Sequence, residues 1–207
     1  ANPETTSVDG YVGREVAEEA WATLITGAGT VAGPSNTGQY QYGIWIIAGA
    51  TSSLFERKRR ALLLFDSSGL PDNIIITNGV ISIRRSTRDD TLGATPDINI
   101  YGSTPASNTD LVAADYGQTG TEAFSTPHTY ASWATGYNDF TLNAAGLAAI
   151  SKSGVSQFSW KNANYDVQAS QPPWVSAGYA DLGGFFSEMG TDYKPKLVVT
   201  YIGPSIS

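Results

Sequence analysis

The sequence predicts an all-β protein, an antiparallel β-sandwich with one or two short crossover helices, and three observations carry that expectation. The first is a pair of apolar runs, residues 61–65 and 74–83, bracketing a polar joint that holds Gly69 and Pro71. Both runs are short, rich in branched residues and bounded by turn formers, so two core strands explain them better than one long helix. The second is composition: 22 Gly, 10 Pro and 11 Tyr against 15% charged residues suit a chain of many strands and turns. The third is what is missing, since no apolar run approaches the roughly 18 residues of a membrane-spanning helix. Nothing in the 207 residues marks a domain boundary, so one domain over 1–207 is expected, with an N-terminal strand and Gly-rich arm over 1–39 and a sandwich core over 40–202.

In order, the first strand is expected at 5–12, with Asp9-Gly10 as a bulge or turn. Residues 15–25 read as a helical turn followed by a strand through Trp21 and Leu24, and 27–38 as a Gly-rich loop, either a connection or an arm lying on a partner. Strands follow at 40–48 and at the two apolar runs. Arg57, Lys58, Arg59 and Arg60 then read as a solvated strand end that resists edge pairing, or else as a contact for an acidic ligand or a neighbouring subunit's carboxylate. The polar stretch 84–96 is expected to be a loop with ion pairs across it. Further strands are expected at 97–103, 137–142, 155–160, 180–186 and 196–202. Thr109 or Asp110 opens a short helical turn through Tyr116, and Asn143 caps another through Ile150. The last strand is expected to be buried in the sheet that holds 61–65.

A net charge of −7 argues against a nucleic-acid partner and against an anionic membrane surface, because both demand clustered Lys and Arg. With no cysteine there is no disulfide, thiolate metal site or cysteine nucleophile. The single histidine, His128, has no second His or carboxylate at ligand spacing, and no Gly-x-Ser-x-Gly turn surrounds any serine. Asp66, Asp72, Asp97, Asp139, Asp166 and Asp181 are scattered, and no spacing singles out a catalytic pair. No enzyme activity and no cofactor are therefore expected. A structural calcium would draw on Asp89, Asp90, Asp97 or Asp166, with loop solvation the simpler account. The long polar and aromatic stretch 162–179 is the candidate ligand-binding region. Tyr165, Trp174 and Tyr179 there offer faces for a sugar ring, and Asn162, Asn164 and Gln171 offer hydrogen bonds to its hydroxyls. The competing reading makes these aromatics plugs over the sandwich end or filling for a subunit interface.

The ordered segments RALLLFDSSGLPDN, IITNGVISI, FTLNAAGLAAISKSGVSQFSW and YADLGGFFSEMGTDYKPKLVVTYI resemble the DNRLRE family of β-sandwich modules over roughly residues 40–202. The resemblance implies a jelly-roll-like sandwich of a kind found in extracellular proteins and similar to certain carbohydrate-binding modules. Chains of this type also look like small proteins encoded among phage structural genes. Ala1 fits removal of an initiator Met or cleavage of a signal peptide, so a virion and an extracellular surface are both open as locations. Two functions are expected on these grounds. One is a non-catalytic structural or decoration subunit of a phage virion head or tail, assembling as a homo-oligomer or with other surface proteins. The other is a carbohydrate-binding adhesion module that recognises cell-surface or environmental polysaccharide.

Overall fold

The structure is a computed structural model, and it describes residues 7–34 and 43–203. The expected strand at 5–12 begins, and the expected arm and third strand partly lie, outside those residues. Strand β4 (Leu54–Asp66) is the spine of the first layer. Along one side it pairs with β1 (Asp9–Ala20), from Asp9 opposite Leu63 to Ala20 opposite Leu54, with a bulge between Glu15 and Glu19. Along the other it meets two strands in turn, β3 (Ile44–Ala48) and then β8 (Val155–Asn162), with Ala61 opposite Trp160. Strand β2 (Val31–Pro34) extends the layer beyond β1, and β6 (Ile98–Gly102) extends it beyond β8.

The second long strand, β5 (Ile75–Asp90), does not pair with β4 but faces it across the core. Its first part lies between β7 (Tyr137–Thr141) and β10 (Lys196–Ile202). After a register shift between Arg85 and Thr87, its last part pairs with β9 (Tyr179–Gly184), which pairs with β3. The two layers are thus one open antiparallel sheet folded upon itself, and β5 is where it passes from one layer to the other. The all-β sandwich expected from sequence is what the chain forms.

Between the layers Ala61, Leu63, Phe158 and Trp160 meet Ile81, Ile83, Phe140 and Trp133, with the two indoles 5.3 Å apart. The chain enters β3 at Gly43 because a Cβ there would stand 2.3 Å from the Trp160 ring. The outer face of the first layer is covered too. Helix α1 (Trp21–Thr26) lays Trp21, Leu24 and Ile25 over Ile46, Ala48, Phe55 and Ala180, and the turn at Leu111 and Tyr116 covers Val12, Leu62 and Leu64. Burial on both faces is why residues 61–64 are all apolar rather than alternating. Helix α2 (Ala144–Ala148) starts where expected, with the Asn143 side chain accepting from Gly146 N at 3.0 Å.

Three expectations are corrected. Residues 15–25 are a strand followed by a helix, not the reverse, because Trp21, Leu24 and Ile25 recur at helical spacing and need the outer face of β3 and β4 to cover. The polar stretch 84–96 is strand as far as Asp90, since no Gly or Pro interrupts it and β9 supplies a partner. Among the described residues its arginines form no ion pairs across a loop: Arg85 donates to Trp133 O at 2.8 Å and Arg88 to Ala131 O at 3.2 Å. The last strand, β10, belongs to the same folded sheet as β4, as expected, but it lies in the other layer as an edge strand and is exposed or half-exposed rather than buried.

Leu63→Ala would remove a fully buried side chain from between the layers, and the expected cost in urea unfolding is about 2–5 kcal/mol. A cost below about 1 kcal/mol would show that the two layers do not close on this residue.

Candidate functional site

The four basic residues of β4 alternate between its faces, and each face satisfies them differently. On the front, Arg57 Nε lies 3.0 Å and Arg59 Nη2 2.6 Å from the two oxygens of Glu15, one strand away on β1. Both guanidinium groups also stack on Trp45, at 4.3 and 4.6 Å from the ring centroid, and Arg59 stacks on Tyr11. On the back, Lys58 and Arg60 are buried and share one carboxylate, Asp166. Arg60 grips it with two bonds, Nε to Oδ2 at 2.8 Å and Nη2 to Oδ1 at 2.6 Å, while Lys58 Nζ stands 3.1 Å from Oδ2.

Asp166 is presented by a π-helical turn, Ala163–Val167, whose entry is capped by the buried Asn162 side chain accepting from Tyr165 N and Asp166 N. Burial would raise the Asp166 pKa, but Lys58 and Arg60 outweigh it and hold the carboxyl well below the usual range. Burial pushes Lys58 down to about 8 against the pull of Asp166, and Lys161, beside the same group, down to about 8 as well. The basic run is therefore neither a solvated strand end nor a contact awaiting another molecule's acid. Its carboxylates lie within the chain, brought there by tertiary pairing that local sequence does not encode.

The front face holds a different arrangement. Register places Trp45 of β3 opposite Asp181 of β9, and Asp181 opposite Asp89 of β5, so the three share one row across the sheet. Ile47 and Tyr179 form the next row. With Thr87 and Ala177 they enclose a cavity of about 260 Å³. Asp181 is 2% exposed, and its Oδ2 accepts from the Thr87 hydroxyl at 2.6 Å. Its Oδ1 has no hydrogen-bond partner among the described residues. Burial, reinforced by the charge of Asp89 and opposed by Thr87 and Arg59, pushes this carboxyl up to about 7.

The structure divides the six residues that the sequence nominated. Asn162 caps the π-turn, and Asn164 accepts from Asp97 N at 3.1 Å, so both serve the backbone. Tyr165 and Trp174 pack on the cluster under α1, the phenol donating to Ala94 O and the indole to Leu54 O at 3.1 Å. Gln171 is exposed. Tyr179 alone of the six joins the front cavity, and it is 38% exposed. His128 packs its ring on Phe140 at 4.6 Å. Among the proposed calcium ligands, Asp90 accepts from the backbone N–H groups of Leu92, Ala94 and Thr95, and Asp166 is taken by the cations. No group of three ligating side chains occurs among the described residues. Trp45 and Asp181 were not nominated. The one signal for Asp181 was a carboxylate set in the apolar run ADLGGFF, a polar residue where a core strand needs none.

A further surface feature lies at the sheet edge. Among the described residues β10 pairs only with β5, and its other side has no neighbour. Val198 and Ile202 there are each 55% exposed, and Ile75, opposite Ile202, is 64% exposed. The sequence matches no protein-family model and no curated protein.

Because its folded pKa lies above the ordinary carboxylate value, Asp181 favours the fold at acid pH, and that contribution is lost as pH rises from about 4 through about 7. Asp181→Asn is expected to unfold like the parent near pH 4 and to be more stable by roughly 2–4 kcal/mol at about pH 8.5. Denaturant unfolding at the two pH values measures this, and a variant less stable than the parent at the higher pH would contradict it.

Proposed function

We propose that the chain is a non-catalytic structural subunit of an outer surface, of the kind a virion head or tail displays, and that it self-assembles through β10. The observation that carries this reading is the edge strand, unpaired on its outer side among the described residues, with its exposed apolar residues, Val198, Tyr201 and Ile202, continued by Ile75 on β5. An edge of this kind is a template for another strand, and monomeric sandwiches blunt theirs with charges, prolines or bulges. Here only Lys196 supplies a charge along the seven residues of the strand, and it stacks on Tyr137 at 3.9 Å, while an irregularity in the ladder with β5 falls between Thr200 and Tyr201 and leaves residues 196–200 in regular register. A second copy meeting the same edge about a two-fold axis would continue the sheet and cover the apolar row on both sides.

The carbohydrate-binding reading has less support from the geometry. Tyr165 and Trp174 are partly buried and tied down through their polar atoms, and Tyr179 stands apart from them on the front face. Sedimentation of the parent and of a Val198→Lys, Ile202→Lys variant tests the assembly. The parent is expected to sediment as a dimer or larger species at micromolar concentration. The variant should be monomeric with little change in melting temperature, because both side chains are exposed. A parent that stays monomeric at about 100 μM would overturn the reading.

A further inference from the structure

The front cavity has walls and a floor of different chemistry. Ile47, Ala177 and the ring of Tyr179 are apolar or largely so, while Asp181 and Asp89 are carboxylates set directly opposite each other on paired strands. Like charges in that relation are unfavourable, and the Asp181 Oδ1 is buried without a hydrogen-bond donor among the described residues, a costly state for an acceptor. The charged groups facing the space are both carboxylates, Asp89 and Asp181, which accept only. The Thr87 hydroxyl already donates to Asp181 Oδ2, which leaves the Tyr179 phenol and the Trp45 indole N–H as the other side-chain donors on the lining, neither of which carries a positive charge. A sugar hydroxyl must accept as well as donate, whereas an ammonium group only donates, three times, and carries the charge that two opposed carboxylates lack. At about 260 Å³ the space is smaller than the roughly 300–1,000 Å³ of pockets for drug-sized ligands, so it suits a single side-chain-sized group.

We propose that this cavity binds a primary alkylammonium group, a small amine or a lysine side chain, with the nitrogen at Asp181 Oδ1 beside Asp89 and the alkyl stem against Ile47 and Tyr179. Long cationic side chains bury their methylene stems and keep the charged head on polar groups in this manner. The other charges near the site leave room for one more cation. Arg57 and Arg59 on β4 occupy the Trp45 ring and are matched by Glu15 on β1, so with Asp181 ionised these five groups sum to one negative charge. The ammonium binds ionised Asp181, so affinity falls as pH drops below about 7.

The test is titration of the folded chain with n-butylammonium chloride and with Nα-acetyl-lysine N-methylamide, followed by amide NMR shifts. 1-Butanol and methyl β-D-glucopyranoside serve as neutral controls. Butylammonium is expected to shift the amides of Ala177, Tyr179 and Asp181, with affinity at least about fivefold weaker at pH 5.5 than at pH 8. Binding should weaken by about tenfold or more in Asp181→Asn, and measurably in Asp89→Asn. Tighter binding of the lysine amide assigns the site to a partner's lysine, and tighter binding of butylammonium assigns it to free amines. The proposal is overturned if butylammonium causes no shifts up to about 50 mM, if Asp181→Asn binds it equally well, or if either neutral control binds as tightly.

Discussion

The fold depends on a single buried carboxylate. Strand β4 must be buried on both faces to join the core to its outer coverings, yet it carries Lys58 and Arg60 on the face beneath α1 and the 111–117 turn. An uncompensated cation there costs several kcal/mol. Asp166 pairs with both, and its pairing with Arg60 is bidentate, the geometry in which a guanidinium holds a carboxylate most firmly. The remaining Arg60 donors reach Ile25 O, at the end of α1, and Tyr116 O, while the Tyr116 hydroxyl donates to Leu24 O. One side chain thus collects the helix, the turn and the π-helical segment onto the same strand.

Closing the back in this way leaves the front of the sheet to carry different chemistry. Arg57 and Arg59 are spent on Glu15 and on the rings of Trp45 and Tyr11, which fixes Trp45 beside the β9 strand. The row that continues through Asp181 to Asp89 has no comparable neutralisation. Asp166 and Asp181 are both buried, but the first is surrounded by cations and held ionised, and the second has a hydroxyl and a like charge for neighbours and is held near neutrality. Two aspartates of one sheet thereby do opposite work, the first fastening the fold and the second forming the polar floor of an open cavity. The apolar edge at β10 lies in the other layer, so assembly through it and occupancy of the cavity are separable properties.

Much of this was legible in the sequence, and what was not has a physical reason. Short apolar runs between turn formers identified most strands, and Asn143 identified the start of α2, because both signals are local. Strand order is not local. Residues 196–202 do belong to the folded sheet that holds β4, but the expectation that they would be buried failed because an apolar strand can end a sheet as well as fill it, and only pairing with residues 75–82 of β5 decides its place. The run from Arg57 to Arg60 looked solvent-facing because its partners, Glu15 and Asp166, are 42 or more residues away in sequence. The candidate cavity assembles Trp45, Asp89 and Asp181 from three strands, and register alone aligns them. Of the nominated region 162–179, the sequence located the aromatics but left open whether they face a ligand or plug the sandwich. Tyr165 and Trp174 turn toward α1, where their polar atoms find backbone carbonyls.

The central claim is that Asp166 holds the fold by pairing with both Lys58 and Arg60, and urea unfolding of Asp166→Asn at neutral pH measures it most directly. The variant keeps the shape of the side chain and leaves two buried cations without their anion. The expected loss is about 3–5 kcal/mol. A loss below about 1 kcal/mol would show that backbone carbonyls or solvent satisfy the two cations without Asp166, and would contradict the account.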